Sequence, residues 1–349
     1  MSIRHLPFLD VFEDASGGNI KTPSSEFLKN GKIPVIDQGQ SFIAGYVNDP
    51  VKICKSKPPV IVFGDHTKTI KYVDFYFAMG ADGTKVLEPK NGNHTKYLFY
   101  ALRALHIPDA GYSRHYKFLK ETIIPLPPLP EQKRIAAILD AADALRAKRR
   151  EALAQLDALL QSTFLTLFGD PVSNPMGLPQ ETLETAFQFT TGKLDSNAAV
   201  EGGRFPFFTC ARETFAINNH AFDCEALLLA GNNANADYSV KYYKGKFNAY
   251  QRTYVITLNH NNITYKYAHV ALEYMLGDLK RFSKGSNTKY LTMGILNKMP
   301  ILLPPLSLQQ KFAAIVESIE RQKTTQRAHL AELDALFATL QHRAFRGEL

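Results

Sequence analysis

The stretch LPPLPEQKRIAAILDAADAL (residues 126–145) runs from a proline-dense strip straight into an apolar pattern of helical period. The chain writes it again as LLPPLSLQQKFAAIVESIERQ (residues 302–322). Pro127, Pro128 and Leu129 meet Pro304, Pro305 and Leu306 at an offset of 177. The same offset, without a gap, brings Gln132 onto Gln309, Ala136-Ala137-Ile138 onto Ala313-Ala314-Ile315, and Arg150 onto Arg327. It carries LDAL at 156–159 onto LDAL at 333–336 and still holds at Phe168 and Phe345. Chance does not sustain a register over that length, so the chain is an internal repeat, and a repeat dictates architecture.

The segments ahead of each helix match with small gaps. NGKIPVID (30–37) resembles GGRFPFFT (202–209), VIVFGDH (60–66) resembles LLLAGNN (227–233), and YLFYAL (97–102) resembles YAHVAL (267–272). GYSRHY (111–116) precedes its helix much as GSNTKY (285–290) does. The order is therefore a globular segment over 1–125, a proline strip and long helix over 126–170, a second globular segment over 171–300, and a second strip and helix over 301–349. Runs such as PPVIVFG, ALLLAG and RTYVITL carry β-branched and aromatic residues between turn formers, which predicts strands. Helices near 96–105 and 266–276 are expected to pack on the two sheets. The predicted fold class is α+β: two similar mixed domains separated by two long helices that pair as an antiparallel coiled coil.

The first helix carries a seam of Ile135, Leu139, Ala142, Leu153, Leu156 and Leu160, and the second one of Phe312, Val316, Ile319, Leu330, Leu333 and Phe337. Leu145 and Ile315 also fall on the stripes. Pro130 suits a first helical turn, Ser307 with Gln310 fits a capping box, and Gly169-Asp170-Pro171 stops the first helix. Each helix should run to about 35 residues, roughly 50 Å. Arg146 and Arg149 interrupt one stripe, Lys323 and Gln326 the other, at matching places. We read them as a solvated stretch of seam, the alternative being a device that fixes register.

Composition narrows the function. The net charge of +8, from 41 Lys+Arg against 33 Asp+Glu, points to an anionic partner, with nucleic acid ahead of membrane or acidic protein. Cys54, Cys210 and Cys224 form no C-x-x-C pair, which fits reduced thiols in the cytoplasm. The N-terminal residues include acids and no apolar run, and no stretch approaches the roughly 18 apolar residues of a membrane span, so a soluble cytoplasmic protein is expected. Phosphate-cradling G-x-x-x-x-G-K-[ST], helix-opening G-x-G-x-x-G, H-x-x-x-H and G-x-S-x-G patterns are all missing. Asp223 and Glu225 flank Cys224 but lead into a strand, so neither a metal nor a catalytic site is assigned. The chain reads as a binder.

A globular segment, then IPLPPLPEQKRIAAILD, then a long helix, all repeated, resembles the specificity subunit of type I restriction–modification systems. PLPPLPEQ (125–132) is the most specific part; the second copy has Ser307 and Leu308 in place of the Pro-Glu step but keeps Pro304, Pro305, Leu306 and Gln309. SGGNIKTP (16–23) and TTGKL (190–194) resemble the family's glycine-rich lead-in to a recognition domain. The resemblance implies that each globular domain reads one half of a split double-stranded DNA sequence and that the paired helices set the half-site spacing. It implies two methyltransferase subunits that bind S-adenosylmethionine and carry the adenine-methylating motif missing here. Restriction subunits using ATP and Mg would join them, and this chain would hold no cofactor and be no enzyme.

Polar and basic loop residues are the candidates for DNA contact. In the first domain these are Asp65, His66, Lys68, Ser113, Arg114, His115 and Lys117; in the second they are Lys193, Asn232, Asn233, Asn235, Arg252, Lys284, Ser286, Asn287 and Lys289. Asn232 and Asn233 have a second reading as turn residues. The competing function is a coiled-coil scaffold whose globular ends bind proteins.

Overall fold

The structure, a computed structural model, describes residues 3–109, 111, 113–233, 238–282 and 289–349. The chain divides into unit 1, Met1–Arg150 with Ala328–Leu349, and unit 2, Glu151–Arg327, so each long helix gives its two halves to different units.

Unit 1 runs β1 (Arg4–Pro7), α1 (Phe8–Val11), β2 (Phe12–Asp14), β3 (Ile33–Ile36), β4 (Gly45–Val47), β5 (Val60–Gly64), β6 (Ile70–Val73) and β7 (Ala78–Met79). It continues through β8 (Thr84–Pro89), α2 (Thr95–Ala104), α3 (Tyr116–Lys120) and β9 (Ile123–Leu126) into α4 (Leu129–Phe168). Unit 2 repeats the series as β10 (Gln180–Thr182), α5 (Leu183–Ala186), β11 (Phe187–Thr191), β12 (Phe205–Phe208), β13 (Phe215–Ile217), β14 (Phe222–Ala230) and the short β15 (Asn232–Asn233). Then come β16 (Val240–Ala249), β17 (Thr253–Leu258), α6 (Tyr265–Phe282), β18 (Lys289–Tyr290), α7 (Met293–Leu296), β19 (Pro300–Leu302) and α8 (Leu306–Arg346).

Among the described residues, unit 2 has a six-stranded sheet in the order β11-β17-β14-β16-β12-β13, beside the two-stranded pairs β10-β19 and β15-β18. Unit 1 carries the same order in two pieces, β2-β8-β5-β6 and β4-β3-β7. The single long β16 of unit 2 is split in unit 1 into β6 and β7. In both units one pairing is parallel, β3 with β7 and β12 with β16. The predicted mixed α+β domains are thus present twice, with α2 and α6 each laid on its sheet. The central strands explain the continuous apolar runs, because both of their faces are buried. Ile61 and Phe63 pack under α2 beside Tyr97, Leu98 and Leu102, while Val60 and Val62 face Ile36, Phe77 and Val86.

The long helices pair antiparallel within each unit. In unit 1 the start of α4, through Ile135, Leu139 and Ala142, shares a core with Phe337 and Ala344 from the end of α8. In unit 2 the end of α4, through Phe164 and Phe168, shares one with Phe312 and Val316 from the start of α8. The helices have 40 and 41 residues, longer than the 35 expected. Pro130 lies in the first turn of α4, and Gly169 ends it at φ +72°. Ser307 is no cap: α8 begins at Leu306, and Pro305 O accepts from Leu308 N at 2.9 Å.

The seam is deep at its ends and shallow in the middle. Ile135, Leu139, Ala142, Phe312, Val316, Ile319 and Phe337 are buried; Leu153, Leu156, Leu160, Leu330 and Leu333 are half-buried; Leu145 and Ile315 lie on the exposed side. The polar interruptions overturn the solvated reading. Arg146 reaches across to Asp334 (2.5 Å), also holds Asp143 (2.6 Å), and lies over the Phe337 ring. Its repeat partner Lys323 reaches Asp157 and Glu320, both at 2.8 Å. Burial opposes the Lys323 charge, but the Asp157 and Glu320 bonds outweigh it and raise its pKa. Asp157 and Asp334 are themselves repeat equivalents, so one interhelical pair is written twice. With half-exposed carboxylates such pairs add under about 1 kcal/mol. Their effect is on register, since sliding the helices leaves a part-buried cation unpaired.

Candidate nucleic-acid interface

The proline strip is a joint between domain and helix. Gln132, buried on the first turn of α4, donates Nε2 to Pro127 O (2.9 Å) and Asn93 Oδ1 (3.1 Å), while its Oε1 accepts from His94 N (2.9 Å). Gln309 repeats this with Pro304 O (2.8 Å), Asn262 O (2.9 Å) and Thr264 N (2.8 Å). Tyr97 and Tyr267, whose hydroxyls burial keeps protonated, donate to Pro125 O (2.7 Å) and Leu302 O (2.9 Å). The glutamine amide serves because it alone offers one acceptor and two donors at that reach. Gln309→Leu removes the partner of the part-buried Thr264 N–H and of the Pro304 and Asn262 carbonyls and should lower stability by about 2–3 kcal/mol, read from the denaturant midpoint. A loss under about 0.5 kcal/mol would contradict the joint.

The loops beyond the strands share one backbone frame. Asp65 N donates to Gly83 O at 2.7 Å, and Gly231 N to Arg252 O at 2.8 Å. His115 N donates to Asp65 O at 2.7 Å, and Leu291 N to Gly231 O at 2.8 Å. Asp65 therefore corresponds to Gly231 and Gly64 to Ala230, one residue away from the match of the two glycines made on sequence. In unit 2 an added Cβ at Gly231 would lie 2.4 Å from Arg252 O, whereas unit 1 accommodates the side chain of Asp65 at the same position. Gly192 is required: its Cβ would meet Ala249 O at 1.8 Å, which accounts for the glycine in TTGKL.

In unit 2 the frame gathers several candidates. Asn232, Arg252, Thr191, Gln251, Tyr254 and Tyr290 line a cleft of about 180 Å³. Arg252 is exposed and Asn232 half-buried, and exposed Lys193 follows the Gly192 contact. Asn232 and Asn233 form strand β15 rather than a turn, pairing with Tyr290 and Lys289 of β18. Asn235, Lys284, Ser286 and Asn287 lie outside the described residues, as do the side chains of Asn233 and Lys289. Burial raises the pKa of the Tyr254 hydroxyl, which donates to Leu291 O at 3.0 Å.

In unit 1 the candidates divide. Asp65 is buried, its Oδ1 accepting from Tyr116 N (2.7 Å), and His115 is buried with Nδ1 3.0 Å from Asp65 O. These two hold the 113–116 segment onto the strand end and present no charge to solvent. Ser113 is half-buried. Arg114 and Lys117 are exposed, the latter over the Phe118 ring. His66 and Lys68 are half-buried, with Lys68 in a left-handed turn (φ +58°) and 3.5 Å from Asp109. Where unit 2 has Tyr254, unit 1 has Lys85, 2.7 Å from Asp14. Burial opposes the Asp14 charge, yet bonds from Lys85 and Ser16 outweigh it and hold the carboxyl below its ordinary range. Thr191, Gln251, Tyr254 and Tyr290 line the cleft but were missed on sequence; Gln251, one residue before Arg252, was the nearest signal.

Among the described residues no group of three or more His, Cys, Asp or Glu side chains could hold a metal. Glu225 accepts from Tyr242 at 2.9 Å and pairs with Lys244 at 3.0 Å. None of the described helices is long and apolar enough to cross a membrane.

Comparison with known proteins finds a family model, the type I restriction modification DNA specificity domain, matching residues 9–155 and 192–335. The chain is 36% identical over 166 residues to the type I restriction enzyme EcoDI specificity subunit of Escherichia coli, covering 46% of this chain and 36% of the relative. It is 36% identical over 161 residues to the EcoR124I/EcoR124II specificity subunit of Escherichia coli, covering 42% and 40%. The chain thus spans well under two thirds of the length of these relatives. In fold it is similar to the crystal structure of a type I restriction-modification S subunit from M. genitalium, with TM-score 0.66, 17% identity, and coverage of 99% of this chain and 96% of that one.

Proposed function

The chain belongs to the type I restriction modification DNA specificity family, and from that premise we propose that it is the sequence-specific DNA-recognition subunit of a type I restriction–modification complex. Each unit reads one half of a bipartite site on double-stranded DNA. The observation that carries this reading is the backbone frame written twice with different side chains on it. Arg252 stands where unit 1 has Gly83, Leu291 where it has His115, and Asn232 where it has His66. Equal frames suit two equal pieces of duplex, and unequal side chains read unequal bases, so the target is asymmetric. The charge of +8 supports a polyanionic ligand.

The paired helices set the half-site spacing and dock two methyltransferase subunits. S-adenosylmethionine is bound by those subunits, while ATP and Mg belong to restriction subunits in the full complex. The chain itself is non-catalytic and works in the cytoplasm. Assembled with its methyltransferase subunits, it should direct adenine methylation to one asymmetric bipartite motif; active partners that methylate no motif would sink the reading. Its affinity for that motif should fall about 10³-fold or more between 50 and 200 mM salt, as phosphate neutralisation by six or more cations requires. A flat salt response would instead favour a protein-binding scaffold.

A further inference from the structure

Beyond their first residues, Asp37 and Thr209, the loops closing the β3–β4 and β12–β13 hairpins lie outside the segments singled out on sequence, yet both are held from below by a lysine at one register position. Lys71 lies opposite Val62 across β5 and β6, and Lys241 opposite Leu228 across β14 and β16. The frame that equates Asp65 with Gly231 equates these lysines too. Lys71 Nζ donates to Asp37 O (2.8 Å) and Ser41 O (2.6 Å), with the Asp37 carboxylate at 3.5 Å. Lys241 Nζ donates to Ala211 O (2.8 Å) and Glu213 O (2.9 Å). Burial lowers the pKa of both ammonium groups, Lys71 being 4% exposed. Core packing alone is served as well by an apolar residue. A point charge with three donors, aimed at main-chain carbonyls, fixes a loop's backbone whatever its side chains are.

The loops above these clamps do differ. The first spans residues 37–44 and the second 209–214, so the first is two residues longer. Gln40, Ser41 and Phe42 are exposed on one, Arg212, Glu213 and Thr214 on the other. Both loops abut the shared frame. Gln38 Oε1 accepts from His66 N (3.1 Å) and Gln38 O from Thr67 Oγ1 (2.5 Å), while Cys210 Sγ donates to Arg252 O (3.4 Å). Gln40 and Arg212 each offer a planar group of the kind that makes paired hydrogen bonds to a purine edge in the major groove.

We propose that these two hairpin loops are specificity-determining elements of the half-site readers, with Lys71 and Lys241 as their positioning residues. The inference rests on the DNA-recognition reading above. It is tested with the whole chain assembled with its methyltransferase subunits and used to enrich a randomised duplex library. Gln40→Ala and Lys71→Met should relax base preference about 10-fold at positions in one half of the motif only, and Arg212→Ala and Lys241→Met at positions in the other half only. A lysine that merely supported the fold would weaken binding to every sequence alike. The surface variants Q40A and R212A keep the test decisive if a lysine variant fails to fold. If both retain every base preference of the parent chain, the inference is overturned while the DNA-recognition reading stands. If the parent chain itself enriches no bipartite motif, both fall.

Discussion

Phe164→Ala should destabilise unit 2 by about 3–5 kcal/mol, the largest effect expected from any single truncation on the long helices. The ring is fully buried and sits among four others: Tyr274 at 4.9 Å, Phe168 at 5.0 Å, Phe312 at 5.6 Å and Tyr267 at 5.8 Å between centroids. The void cannot readily close. Tyr267 is tied by its hydroxyl to Leu302 O and Tyr274 to Gln161 O, and Phe312 belongs to the facing helix. Against a typical domain stability of about 5–15 kcal/mol the loss is large, a fall in melting temperature of roughly 6–20 °C. Leu159→Ala, on the same helix but 51% exposed, should stay within about 0.5 kcal/mol. Equal losses at the two sites would mean that α4 is held by its own propensity rather than by the globular domain it packs on. In unit 2 helix and globular domain share one core, so neither is expected to keep its shape without the other.

The sequence pattern revealed what is local or strictly periodic. The presence of both long helices, the apolar ends of the seam and the stop at Gly169 follow from spacings of three and four and from glycine's freedom at φ +72°. What it concealed are pairings between residues far apart in the chain. Arg146 and Lys323 looked solvated because their partners lie 188 residues away at Asp334 and 166 residues away at Asp157. Asp65 and His115 looked like loop polarity because nothing in either segment says that each satisfies the other across 50 residues. Gln132 and Gln309 were matched by the repeat, but their task appears only when the strip folds back on the carbonyls of Pro127 and Pro304. The clamp lysines escaped for another reason: the globular segments repeat with gaps, so Lys71 and Lys241 align only through strand register.

Inserting heptads at both helices tests the ruler directly, and the repeat supplies the insertion points. Between Arg150 and Glu151 of α4 and between Arg327 and Ala328 of α8, both the offset of 177 and the boundary of the two units are respected. Each interhelical pair stays within its own unit, Arg146 with Asp334 and Lys323 with Asp157, so the register device is not strained. Seven residues preserve the seam to within about 20° and add about 10.5 Å, or about three base pairs at 3.4 Å each. That step also turns the second half-site by about 100° around the duplex, since a turn takes about 10–10.5 base pairs. One heptad should therefore abolish specific binding to the original motif, a loss of at least about 10³-fold, and enrich only weakly a motif whose gap is about three base pairs longer. Three heptads add about 31.5 Å, close to one full turn, and should restore strong enrichment with the gap lengthened by about nine to ten base pairs. The half-site sequences themselves should not change in either variant, because no frame residue is touched. An unaltered gap would remove the helices from spacing. A single-heptad variant as strong as the three-heptad one would show that the joint between strip and domain swivels, against the three hydrogen bonds that each buried glutamine makes there.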